Sequence, residues 1–218
     1  STSVEIEQPV STDLTISEKT TSDKELPETL SVEMETTASL IVDTPNLTVS
    51  LEGSYTAVEA TTAENTLIVA KNTVIETLTV KIYGTVGEIV NEGTGKIIRC
   101  IDAQDEVERT LADTRCDHIL IEKPAGTLDF GGGTTTKQVC VEASVTIANL
   151  IVSPEKEHPV MVSGDNVKLT LDGVKLVCNA AKTCAVNCLD GANPDVTLSN
   201  SEIIALGTDC RAVSVVNT

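Results

Sequence analysis

Seven cysteines are the residues best equipped for chemistry in this 218-residue chain: Cys100, Cys116, Cys140, Cys178, Cys184, Cys188 and Cys210. All lie from residue 100 onward, and their odd number leaves at least one without an intrachain disulfide partner. No two are spaced as C-x-x-C, and the only histidines, His118 and His158, each stand alone, so a zinc site has little to build on. Carboxylates are the larger resource. Asp165, Asp190 and Asp195 could gather on one loop edge, where oxygen-rich turns of stacked coils hold calcium. Asp also mimics a turn with its own side chain, which places the same residues at corners without any metal. No Asp-Asp pair of the kind that divides acid and base work in a glycosidase occurs anywhere.

Other patterns that could carry chemistry lack their partners. The run Gly131-Gly132-Gly133-Thr134-Thr135-Thr136 has no Gly-Lys-Ser/Thr ending and precedes a strand pattern, so it reads as a turn and not as a phosphate cradle. Neither histidine has a Ser or Cys nucleophile in an elbow motif beside it. Asn46-Leu47-Thr48 fits a glycosylation sequon, meaningful only in a eukaryotic secretory pathway.

Charge narrows the partners. With 33 acidic against 15 basic residues the formal charge is -18, a field that repels phosphate backbones, so no nucleic acid is expected as a partner. Tyr55, Tyr83 and Phe130 are the only aromatic residues, which leaves few ring platforms for stacking on sugars or bases. No apolar stretch reaches the ~20 residues of a transmembrane segment, and no basic-then-apolar leader opens the chain at Ser1.

The elements that would position these groups are strands. Residues 1–38 form a polar Thr/Glu-rich segment with short alternations that suit marginal strands. Residues 39–99 carry repeated apolar runs, among them LIV at 40–42, LTVSL at 47–51, LIV at 67–69 and GEIV at 87–90, separated by Pro, Asn and Gly. Residues 100–117 are charged and tolerate helical spacing, so a short helix or a long loop is expected there, with Cys100 and Cys116 placed to close it by a disulfide. The core has to come from Val, Ile, Leu, Ala and Thr, the set that suits a pleated, closely stacked surface.

From residue 118 the chain repeats itself. VTIANL at 145–150 aligns with LTLDGV at 169–174 and VTLSNS at 196–201, offsets of 24 and 27 residues, and AVNC at 185–188 aligns with AVSV at 212–215 at 27. Apolar-x-apolar runs at such a period are what one coil of a solenoid needs, because each coil buries its inward side chains only against its neighbours. Asn149, Gly173 and Asn200 occupy the turn position, where left-handed dihedrals are required and an Asn ladder is possible.

These phrases resemble the right-handed parallel β-helix repeats of the pectin-lyase-like superfamily over residues 118–218, and the whole is similar to uncharacterised secreted or surface β proteins of gut Gram-negative bacteria. The resemblance implies an all-β, single-stranded right-handed parallel β-helix, and it implies little about activity because the architecture hosts lyases, hydrolases, adhesins and inert stalks. Lyases on this scaffold gather calcium ligands and a catalytic Arg or Lys on one sheet. Here Lys168, Lys175, Lys182 and Arg211 are interspersed with Asp at turns and outward positions.

The 27-residue offset sets Cys210 level with Thr183, next to Cys184, so a Cys184–Cys210 bridge is plausible, while Cys188 takes the Val215 position as a small buried hydrophobe. The reading that follows is a non-catalytic secreted or cell-surface structural or adhesion module without a cofactor, with glycans or surface proteins as partners. The alternative is a degenerate polysaccharide-processing or calcium-dependent glycan-binding β-helix. The last strand pattern ends without an evident cap, which leaves end-to-end self-association open.

Overall fold

A computed structural model of the chain describes residues 2–5, 12–17, 29–44, 47–60, 66–70, 73, 79–84, 87–92, 96–189 and 193–215. It is nearly all β, with parallel sheets arranged as a β-solenoid of about six turns. The sequence-predicted sites Asn46 and Asp190 fall outside the described residues. Two compact units divide the chain, Ser1–Ile98 and Arg99–Thr218, so residues 100–117 belong to the second.

The first unit is built from parallel pairs as well, although its sequence shows no clean repeat. Thr29–Asp43 lies beside Thr48–Ala60, with Thr29 opposite Thr48 and, after a shift between Thr36 and Ser39, Ser39 opposite Ala57. The first of these strands runs straight through residues 38 and 39, where the composition changes. Alternation fixes what points inward: Val32, Met34, Leu40 and Val42 on one strand and Val49, Leu51, Tyr55, Val58 and Ala60 on the next are buried. The Tyr55 ring fills this interior and its hydroxyl donates to Val32 O at 2.9 Å, which satisfies the one polar atom the ring carries inside. Burial, followed by the nearby Glu33 and Glu52 charges, pushes that phenol upward.

In the second unit one sheet stacks His118–Ile121, Gln138–Val141, Val160–Val162, Cys184–Cys188 and Arg211–Val215 in parallel. The other contains Gly126–Thr135, Val145–Val152, Lys168–Asp172, Lys175–Cys178, Asp195–Ser199 and Glu202–Ala205. Its registers are those of the self-alignment: Val145 opposite Leu169, and Leu169 opposite Val196. Inward side chains therefore form columns. One runs Ile119, Val139, Val160, Val186, Val213, and another Leu128, Ile147, Leu171, Leu198. Each residue buries its flanks against the same position one coil away, at about 25 cal/mol per Å² of apolar surface. In the last described coil Leu198 and Val213 remain 39% and 43% exposed.

Corners explain the turn residues. Asn149, Gly173 and Asn200 have φ of 53°, 62° and 50°, the left-handed region that Asn and Gly enter at least cost. A second corner places Lys182 and Asp209 in the same region, at φ 61° and 58°. These two are also 27 residues apart, but Lys is a poor left-handed residue and gives no signal in the sequence. The triple glycine is not a turn ahead of a strand. It lies within the strand Gly126–Thr135 as a bulge, with the register shifting between Asp129 and Gly133.

Close coil contact leaves several glycines no room for a side chain: a Cβ would stand 2.0 Å from the main-chain oxygen of Glu142 at Gly164, 2.2 Å from that of Met34 at Gly53 and 2.3 Å from that of Ala180 at Gly207, whereas at Gly131 it would meet nothing within 4 Å. Gly164→Ala is expected to cost more than about 2 kcal/mol, because backbone of two coils must part. Gly131→Ala should cost about 1 kcal/mol for its left-handed φ alone. Urea unfolding followed by backbone circular dichroism measures both, and equal costs would contradict the account.

Candidate functional site

Around the strands His118–Ile121, Gln138–Val141 and Cys184–Cys188 lie the chain's two histidines together with Cys140, Cys184 and Cys210. His118 is buried, and its Nε2 faces the Glu157 carboxylate at 2.9 and 3.0 Å. Gln138, opposite His118 in register, donates from Nε2 to His158 O at 3.0 Å and accepts from the Cys140 thiol at 3.5 Å. His158 accepts the main-chain N–H of Cys184 on Nδ1 at 2.8 Å. Beyond His158 a groove of about 610 Å³ opens, lined among others by Lys182, Cys184, Asp209, Cys210 and Arg211.

This geometry limits what the groove can do. A neutral imidazole offers one acceptor nitrogen, and in His158 that nitrogen is held by a main-chain donor, so the proton sits on Nε2. The ring cannot take a proton from the Cys184 thiol while that bond stands, which removes the base from a cysteine–histidine nucleophile pair. All seven cysteines are free thiols, six of them buried. Burial pushes the Cys178 and Cys188 thiols upward, the opposite of what an activated nucleophile requires.

Of the sequence-predicted carboxylates, Asp190 lies outside the described residues. Asp165 is exposed at a corner, and Asp195 is exposed on a strand with Lys168 opposite it. Among the described residues no group of three or more His, Cys, Asp or Glu side chains is placed to hold a metal ion. The corner residues instead bind one another across coils. Asn149 Nδ2 donates to Asp129 Oδ1 at 2.9 Å, and Asn200 Nδ2 donates to Asp172 Oδ1 at 3.0 Å. Gly173 breaks a continuous Asn ladder, since a Cβ there would come 2.8 Å from Asn149 Oδ1. Lys175 meets Glu202 at 3.4 Å, one coil away in register.

The sharpest electrostatic feature was not legible in the sequence. Arg99, with its side chain fully buried at the start of the second unit, lies 3.6 Å from Asp113, just past the helix Val107–Ala112. Asp113 also accepts from Arg115 Nε and Nη2, each at 2.8 Å, and its main-chain oxygen accepts from Lys137 Nζ. Burial pulls the Asp113 carboxyl upward, but the Arg115 hydrogen bonds and the two guanidinium charges outweigh it and hold it at about 2. Cys116, beside this cluster, is pushed up to about 12 by burial and the Asp113 charge. Cys100 and Cys116, the pair expected to clasp the segment, are both buried thiols at its ends. What holds the segment here is the Arg99–Asp113–Arg115 cluster, together with Gln104, whose amide exchanges two hydrogen bonds of 2.8 and 2.7 Å with the Asp129 backbone. The one sequence signal was parity, which puts Arg99 on the same face as Ile97 in Lys96–Cys100.

No family model, no curated protein and no solved structure matches the chain.

Because Asp113 is held at about 2, below its ordinary carboxylate value of 3.8, it stabilises the fold above about pH 4 and loses that contribution as pH falls toward 2. The stability gap between wild type and Asp113→Asn should therefore shrink by about 2 kcal/mol from pH 5 to pH 2. Urea titrations at both pH values read this, and a pH-independent gap would mean that the carboxylate charge is not the stabilising element.

Proposed function

We propose that this chain is a non-catalytic structural or adhesion module of a secreted or cell-surface protein, a diverged relative of the pectin-lyase-like β-helices. The observation that carries this reading is the use to which the reactive side chains are put. His158 is bound to a main-chain amide, His118 faces Glu157, and the corner Asp and Asn residues bind the neighbouring coil. Each such group spends its donor or acceptor on inter-coil order, so an activated acid, base or nucleophile is not what the sequence maintains.

Its acidic outer faces are the surfaces offered to a partner, whether a glycan or a surface protein.

Thermal unfolding in calcium and in chelator should give the same midpoint, since a ligand bound only to the folded state would raise it. On arrays of acidic and neutral glycans the protein should release no product from any chain it retains. A calcium-dependent midpoint together with cleaved polysaccharide would replace this reading with that of a polysaccharide-processing β-helix.

A further inference from the structure

Three thiols meet at the last corner of the second unit. Cys178 ends the strand Lys175–Cys178 and is fully buried, Cys184 opens the strand Cys184–Cys188, and Cys210, half-buried, precedes Arg211, which lies opposite Cys184. The register therefore brings Cys210 level with Thr183. Its side chain then turns toward the strand that precedes this corner. Cys210 Sγ lies 3.3 Å from Ala180 O, 3.5 Å from Thr183 Oγ1 and 3.8 Å from Cys178 O. The Cys210 sulfur thus lies against the main-chain oxygen of Cys178, and Cys210 packs on the apolar cluster to which Cys178 belongs.

We propose that Cys178 and Cys210 form a disulfide between adjacent coils, in place of the Cys184–Cys210 bridge that strand spacing suggests, and that a small disulfide entering the groove beside Cys184 is the oxidant. The groove reaches Cys210 and carries Lys182 and Arg211, cations that suit a carboxylate-bearing disulfide. Cys210 gives up its proton and its thiolate attacks one sulfur of the small disulfide, whose S–S bond breaks to release a thiolate. The Cys178 thiolate then attacks the Cys210 sulfur of the mixed disulfide and expels the second small thiolate. One small disulfide is reduced to two thiols, two protein thiols are oxidised to one disulfide, and the two protons end on the released thiols. Burial pushes the Cys178 thiol upward, which assigns the first attack to the half-buried Cys210.

The intact protein, incubated with oxidised glutathione, alkylated and digested with trypsin without reductant, distinguishes the pairings. Cleavage after Lys175, Lys182 and Arg211 puts Cys178 alone in the peptide 176–182, whereas Cys184, Cys188 and Cys210 share the peptide 183–211. The expected product is 176–182 linked to 183–211, with fragment ions placing the link at Cys210 and alkyl groups on Cys184 and Cys188. The linked pair should persist in Cys184→Ser and vanish in Cys210→Ser. A disulfide closed within 183–211, a link to Cys184, glutathione left on Cys210 alone, or full alkylation would each overturn the assignment.

Discussion

A coil of this solenoid has no interior of its own. Its inward side chains are buried only by the same positions in the coils on either side, so burial and register are a single requirement. Leu169 is enclosed because Val145 and Val196 stand opposite it, and a one-residue slip would turn every apolar group of that strand outward. Columns repeating at a strand spacing of about 4.8 Å favour compact branched side chains. That accounts for a core of Val, Ile and Leu with very few rings. It also confines variation in coil length to the connections. Val139 and Val160 are opposed at a separation of 21 residues, and Val160 and Val186 at 26, with no disturbance of the strands themselves.

The same constraint governs the polar residues. Corners and outer faces repeat along the stack, so an Asn, Asp, Lys or Glu finds its nearest partner one coil away, as Lys175 finds Glu202. Such exposed pairs contribute little individually. The Arg99–Asp113–Arg115 group differs because its charges are withdrawn from water. Buried charge is tolerated only with opposite charge and hydrogen bonds around it, and here they come from both ends of a short helical segment. A charged stretch that reads as a loose insertion is thereby tied to the second unit.

Legibility followed periodicity. In the second unit, VTIANL, LTLDGV and VTLSNS have regular offsets and a turn residue that only Asn or Gly fills readily, and the strand pairings match those offsets. In the first unit the parallel pairing leaves weaker marks, since the separation drops by one within a single strand pair at the Thr36/Ser39 shift. Lys182 in a left-handed corner gives no compositional hint, and the inward Arg99 contradicts the expectation that charge lies outside. Side-chain direction was the hardest part to read. Spacing sets Cys210 beside Cys184, while its sulfur lies against Ala180 O, Thr183 Oγ1 and Cys178 O, contacts that spacing does not reveal.

The placement of Tyr55, locked inside the first unit through its bond to Val32, has an optical consequence. The chain has no Trp, and its other tyrosine, Tyr83, also belongs to residues 1–98, so only Phe130 among the rings lies in the second unit. Intrinsic tyrosine emission is therefore a built-in reporter of one unit, and the thiol-bearing coils are spectroscopically dark. Loss of emission and loss of backbone ellipticity, followed side by side in one sample, separate the unfolding of the two units without any label.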